Sequence, residues 1–468
     1  MNKVELLDKV SFVISECARF KAIVASGGFK SIDLQDVWCS ITRFDNRGDV
    51  ICGRAAIKVL SELADEATFR GGIVNTVSPE VRMKEMQLEF SKRFLKDDAV
   101  VDVKQVDRLI SSVARRAASH CETITHLIPC HLMHSSDPQK IELGPVTFYG
   151  RKEMRKILLL HLKGGGVREE KHHVRKLKAE AIRFYRNFRW VAQVTIEGCD
   201  KETSERVASE AVTAALNCLH LLLGANKTRR MRVGGLDVAS DRRAKLHIDA
   251  EDILHPTTSF AYFGEVAFPD GWSVVLGSSN EYQQLLGVAL ESVVNPKLLR
   301  PLSKRFLDSA QWFGEATRDE GDATKIIKYA TALERLLMTG ERDDITTTLA
   351  ERIAALCIHD QVPRNDWRAI SRRVYGLRSK LVHGGISPAS TNLRKGVKEA
   401  VDLSEAALFY SIGAFGVEGL RDNDFKESKL PKWFKAVVEW ADRFEVSKLR
   451  DNGGDVCVED WEGDGTLS

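Results

Sequence analysis

The sequence predicts a mainly α protein, in which an N-terminal helical region and a mixed α/β region precede a C-terminal bundle of four to five helices. Three observations support this. Apolar residues recur at three- and four-residue spacing through the first 118 residues and again from about 280 onward, the pattern of amphipathic helices. From about 121 the pattern changes to short apolar or alternating runs broken by Gly and Pro, as strands and turns require. At 468 residues the chain exceeds one ordinary domain, and its 43% hydrophobic content suffices to bury cores. The expected organisation is 1–118 helical, 119–278 mixed α/β, 279–450 helical bundle and 451–468 a disordered acidic tail.

Four segments carry the N-terminal helices: "VELLDKVSFVISECARF", "AAIKVLSELADEA", "SPEVRMKEMQLEFSKRFL" and "DVKQVDRLISSVARRAA". The third opens on Ser78-Pro79, a capping side chain followed by proline at the first helical position. In the middle region "TITHLIPCHLM" and "KIELGPVTFYG" read as short strands, with Gly144-Pro145 as a bend. "FRWVAQVTIEG" is the clearest strand, and the long helix after it is expected to end at Gly224.

The C-terminal block is the most informative. "ATKIIKYATALERLLM" sets Ile326, Ala330, Leu333 and Leu337 on one face, and "TTTLAERIAALCIH" does the same with Leu349, Ile353 and Leu356. Thr348 and Glu351 have the spacing of a capping box. "NDWRAISRRVYGLRSKLVH" carries Trp367, Ile370, Val374, Leu377 and Leu381 in strict 3-4-3-4 spacing, a seam for packing against other helices. "NLRKGVKEAVDLSEAALFYSIGAF" supplies the next helix.

Charge and cysteines limit the function classes. The net charge is only +3, yet residues 151–189 hold thirteen Lys/Arg against four acids, and 364–380 hold six against one. Such blocks suit a polyanion through counterion release, or simply form solvated helix faces. Nine cysteines without a C-x-x-C pair fit a reducing, cytoplasmic setting. No apolar run approaches a membrane span, so no membrane partner is expected. "HCETITHLIPCHLMHSS" gathers metal-type donors, but its spacings match no familiar zinc finger and strand alternation separates Cys130 from His131. The triple glycine in "LKGGGVREEKHHVRK" lacks the order of a phosphate loop and reads as a turn. Phe188 and Trp190 fit core packing better than base stacking.

The stretch "YGLRSKLVHGG" remains. Arg378 follows Leu377 and therefore flanks the seam, while His383 precedes two glycines that stop the helix. Five helical positions separate the two side chains by about 140°, so a shared ligand requires the last turn to distort near Val382. The bare spacing of Arg, four to six residues, then His is shared by six of the twelve histidines and decides nothing alone. A basic last turn complementing the helix dipole is the structural alternative.

Together with "YATALERLLM" and "ITTTLAERIAALC", this stretch resembles the Apea-like branch of the HEPN superfamily over roughly residues 320–415. The resemblance implies a metal-independent ribonuclease with no cofactor, acting as a homodimer whose two motifs face one cleft. Some such proteins serve in anti-phage defence. It implies catalytic roles for Arg378 and His383 and supporting roles for Ser379 and Glu334. Lys380, Arg372 and Arg373 are the candidates for contacts with the RNA backbone, or are exposed for solubility alone. The chemistry suits the residue types. Imidazole exchanges protons near neutral pH, and guanidinium matches phosphate oxygens with a permanent charge. The rival expectation is a non-catalytic scaffold of the same type, binding nucleic acid or a partner protein.

Overall fold

The computed structural model describes residues 1–25, 38–45, 48–96, 99–133, 139–164, 172–234, 240–248, 254–262, 272–340, 344–390 and 393–451. It is mainly α, with sixteen α-helices among the described residues, a small β component and a helical C-terminal region. The chain forms two compact units, one of residues 1–125 and 195–208, the other of 126–194 and 209–468.

In the first unit, four helices surround an apolar core: α1 (Lys3–Ala25), α2 (Arg54–Arg70), α3 (Pro79–Phe94) and α4 (Val103–Ala118). Leu6, Leu60, Phe90 and Leu109, one from each helix, are fully buried in it. Ser78 caps α3 as its sequence predicts, accepting the Val81 N–H at 3.4 Å, and Asp102 caps α4 by accepting the Gln105 N–H at 2.7 Å. The region is not purely helical, however. A hairpin of β1 (Trp38–Thr42) and β2 (Asp49–Gly53) packs between α1 and α2 in the sequence, its strands too short to show alternation. Nor does this unit close at residue 118. Asp200, buried, accepts both the N–H of Ser78 at 3.1 Å and its hydroxyl at 2.7 Å, tying residues 195–208 to the start of α3.

The second unit joins the expected mixed region and bundle into one body. A five-stranded sheet has the order β4-β5-β6-β3-β7, with β3 (Glu122–His131), β4 (Lys140–Leu143), β5 (Val146–Gly150), β6 (Trp190–Cys199) and β7 (Arg232–Val233), of which residues 122–125 and 195–199 belong to the first unit and the rest to the second. Trp190 is fully buried and donates its indole N–H to the Met133 carbonyl at 2.9 Å, so it packs the core rather than offering a stacking face. Helices α5 (Arg151–Gly164) and α6 (His172–Tyr185) flank the triple-glycine stretch, whose residues 165–171 lie outside the described set. A second hairpin, β8 (Ser240–Ile248) and β9 (Leu254–Tyr262), follows α7 (Lys201–Leu223), which ends at Gly224 as expected, and the short α8 (Ala225–Thr228). The acidic residues 452–468 are likewise outside the described set.

From Trp272 every described element is helical: α9 (Trp272–Ser278), α10 (Asn280–Val294), α11 (Pro301–Arg318), α12 (Asp322–Leu337), α13 (Ile345–Leu356), α14 (Arg364–Val382), α15 (Leu393–Arg421), a short 3-10 turn and α16 (Leu430–Asp451). The predicted seam of α14 is built as read, with Trp367, Val374 and Leu381 buried and Ile370 and Leu377 half-buried. The capping box is corrected. α13 begins at Ile345, and its cap is Asp344, which adopts the left-handed conformation (φ 46°) and accepts the Thr347 N–H at 3.2 Å. Thr348 is therefore inside the helix, and Glu351 pairs with Arg368 at 2.9 Å. α15 is long and apolar enough to cross a membrane by length and composition, but half of its most apolar window is buried and its helix breaks at Gly416.

Three devices lock this unit. Arg305, buried, donates from Nη1 to the carbonyls of Arg335 at 2.9 Å and Met338 at 2.9 Å, and Arg352 donates to Leu337, so two guanidiniums cap the end of α12. Two glycines let backbones meet: a Cβ on Gly144 (φ 55°) would lie 2.5 Å from the Cα of Gly287 in α10. The third is a buried histidine. Thr228 donates its hydroxyl to the Gly224 carbonyl at 2.9 Å and so receives the proton of His220 Nδ1 at 2.8 Å. Nε2 is then an acceptor, facing Arg318 Nη1 at 3.0 Å, while Arg318 also donates to Asn217 at 2.8 Å. Burial first, and the Arg318 charge second, lower the His220 pKa to about 3.

Two predictions follow from this packing. Gly287→Ala should lower stability by about 1–3 kcal/mol in denaturant unfolding, because the facing atoms are backbone. Gly413→Ala, whose added Cβ would meet only the Tyr282 hydroxyl at an ordinary 3.9 Å, should not. For His220 the folded pKa is depressed below the ordinary value near ~6.5, so the unfolded chain binds the extra proton. Stability is therefore fully present above ~6.5 and is lost as pH falls toward 3, by about 2 kcal/mol between pH ~7 and ~5. Replacing His220 with Gln should remove that part of the pH dependence, whatever it does to stability at neutral pH.

Candidate active site

The end of α14 is fixed from both sides of the chain. Leu381 is buried with Ala323 and Ile326 of α12 and Leu393 of α15, and Leu377 and Ile386 pack against the same cluster. Ile386 returns to it because Gly384 takes a left-handed conformation (φ 75°). The Gly385 N–H then donates to the Lys380 carbonyl at 2.6 Å and the Gly384 N–H to Leu381 at 3.5 Å, the two bonds of a Schellman ending.

This packing aims Arg378 at α12. Its Nη2 lies 3.2 Å from Oε1 and 3.4 Å from Oε2 of Glu334, and only the longer approach has hydrogen-bond geometry. Both side chains are about a quarter exposed, at 24% each. Tyr375, one turn earlier on α14, places its ring centroid 5.5 Å from the Arg378 guanidinium. Burial, followed by the neighbouring Glu334 carboxylate, pushes the Tyr375 phenol up, and Arg378 opposes the shift. The Nε of Arg378 is buried and has no hydrogen-bond partner among the described residues.

The other expected residues are placed differently. His383 is the C-cap of α14, exposed, with φ −93° and ψ 10°, and its N–H donates to the Ser379 carbonyl at 3.0 Å. The ladder thus runs unbroken to the histidine, and the distortion near Val382 that a single-chain site requires does not occur. No hydrogen bond or ring contact joins His383 to Arg378 among the described residues. Ser379 is half-buried and Lys380 exposed. Arg373, expected to be available for phosphate, meets Glu399 of α15 at 3.0 Å, and Arg372 lies 3.8 Å from Glu351 of α13. Periodicity reports that such arginines are exposed; it does not report a carboxylate on the next helix.

Tyr375 is the site residue that sequence reasoning missed, although its three-residue spacing from Arg378 puts the two on one face. In the His/Cys-rich stretch, Cys130 is buried, His131 packs its ring 5.0 Å from Phe188, and His120 meets Glu85 at 2.9 Å. His134 lies outside the described residues. No family model, curated protein or solved structure matches this chain.

Proposed function

We propose that the C-terminal bundle is the catalytic unit of a metal-independent, HEPN-type endoribonuclease that works as a homodimer, in a cytoplasmic role such as anti-phage or stress defence. The reading rests on the resemblance around "YGLRSKLVHGG" and on one geometric observation: a semi-buried guanidinium, oriented by Glu334 and Tyr375, with an unpartnered Nε, on a helix that ends in an exposed histidine.

In the proposed reaction the RNA 2′-oxygen attacks the adjacent phosphorus and the bond from phosphorus to the 5′-oxygen breaks. The products are a 2′,3′-cyclic phosphate and a free 5′-hydroxyl. One imidazole removes the 2′-hydroxyl proton, a second protonates the leaving 5′-oxygen, and Arg378 neutralises charge on the phosphorane. One chain has a single His383, about 140° around an ideal helix from Arg378, so two chains are needed to bring acid, base and guanidinium to one phosphate. Glu334 and Ser379 would position the arginine and the last turn, and Lys380 would hold a flanking phosphate. Arg372 and Arg373 would have to leave Glu351 and Glu399 to do the same.

That internal pairing favours the second reading, a non-catalytic scaffold. Incubating the full chain with total RNA and EDTA separates the two. The enzyme reading expects cleavage to ends carrying cyclic phosphate, slowed about 10²-fold or more by Arg378→Ala and by His383→Ala, with the fold intact. Cleavage at the unaltered rate in both variants ends the catalytic assignment; binding without cleavage in the unaltered chain supports the scaffold.

A further inference from the structure

The first unit holds a charged feature that the bundle does not explain. Along α4 runs an open groove of about 850 Å³, lined by Lys3 of α1, Arg93 of α3 and Lys104, Asp107, Arg108 and Arg115 of α4. Five cations thus face one carboxylate. That carboxylate is already engaged, with Asp107 3.4 Å from Lys3 and 3.8 Å from Arg70, and Arg93 is held by Glu89 at 2.9 Å. Lys104, Arg108 and Arg115 are exposed and form no ion pair among the described residues. Exposed cations are ordinarily solvated and need no explanation. What marks these three is that they lie together on one groove without a carboxylate, whereas Arg70, Arg82, Arg372 and Arg373 each meet one.

Their arrangement is linear. At 100° per residue the three fall within about 40° of one another around α4, and their Cα atoms rise about 6 Å and then about 10 Å along its axis. The opposite face of the helix, with Val106, Leu109, Ile110, Val113 and Ala117, is buried, so the row stands on a rigid support. Such a row matches a chain of negative charges with regular spacing, rather than a single phosphate group. The lining holds no aromatic side chain for a base to stack on, so contacts to the backbone, without sequence preference, are what it can supply. A membrane surface is flat and would meet the rim of a groove before its floor.

We propose that the α4 groove binds the phosphate backbone of a single-stranded nucleic acid through Lys104, Arg108 and Arg115. It rests on the ribonuclease reading only in taking that strand to be RNA, and it holds equally for a strand that is never cut.

The test uses the full-length chain in EDTA and a short fluorescein-labelled 2′-O-methyl oligouridylate, which has no free 2′-hydroxyl to attack. Anisotropy titrations across a salt series compare the unaltered chain, Lys58→Glu on an exposed position of α2 outside the groove, and the triple variant Lys104→Glu, Arg108→Glu, Arg115→Glu. The groove reading expects the triple variant to bind at least about tenfold more weakly and to lose about 2 from the slope of log affinity against log salt, near 0.7 per released phosphate contact. Lys58→Glu should retain most of the slope, which assigns the loss to the groove, and the uncleavable oligonucleotide keeps the outcome separate from the fate of the bundle's active site. Because all three side chains are exposed, the variant should unfold at an unchanged denaturant concentration. A milder triple change to Gln, with a smaller but parallel loss, serves if it does not. Equal affinity and equal slope in the variants overturn the proposal. So does an unaltered chain that ignores the oligonucleotide but binds phosphatidylserine vesicles.

Discussion

The register of α14 against α12 is the constraint on which the candidate site depends. Leu377 and Leu381 can reach the cluster of Ala323, Ile326 and Leu393 in one rotation of the helix only. That rotation puts the next residue, Arg378, at the rim of the cluster, where Glu334 of α12 is the carboxylate it meets. The left-handed turn at Gly384 then brings Ile386 back to the same cluster, so the last turn is held on both sides. The orientation of the guanidinium is a by-product of apolar packing. The orientation of the histidine is a by-product of where the helix stops.

What the sequence revealed and what it concealed divide along a physical line. Features set by neighbours in the chain were legible: the seam of α14, the Ser78 cap with Pro79 behind it, and the Gly224 and Gly384 stops. Features set by distant residues were not. Asp344 caps α13 from a left-handed conformation that no local pattern announces. The buried bonds from Asp200 to Ser78 span 122 residues and move the unit boundary away from residue 118. In the site, Glu334 was named through family resemblance, and only the coordinates show it against Arg378. Arg372 and Arg373 were read as exposed, and their carboxylate partners were not legible, since these belong to helices whose packing the spacing does not encode.

The two units also differ in how they handle positive charge. On α14 the guanidiniums are matched by carboxylates of α12, α13 and α15, so a polyanion arriving there exchanges one partner for another. On α4 the groove cations Lys104, Arg108 and Arg115 face solvent and their small counterions, and the entropy of releasing those ions is available to a binding partner. Equal counts of Lys and Arg therefore predict unequal attraction. Composition alone, which gave the whole chain +3, hides both facts.

Glu334 lies in the last turn of α12, the end of a helix where the backbone dipoles make a negative side chain unwelcome. The guanidiniums of Arg305 and Arg352, seated on the carbonyls just beyond it, bring positive charge to that end of the helix. That positive charge offsets what helix electrostatics alone would count against an acidic side chain at this position. The cap that finishes α12 and the anion that steadies the arginine thus share a single electric environment, and remodelling either would be felt by the other.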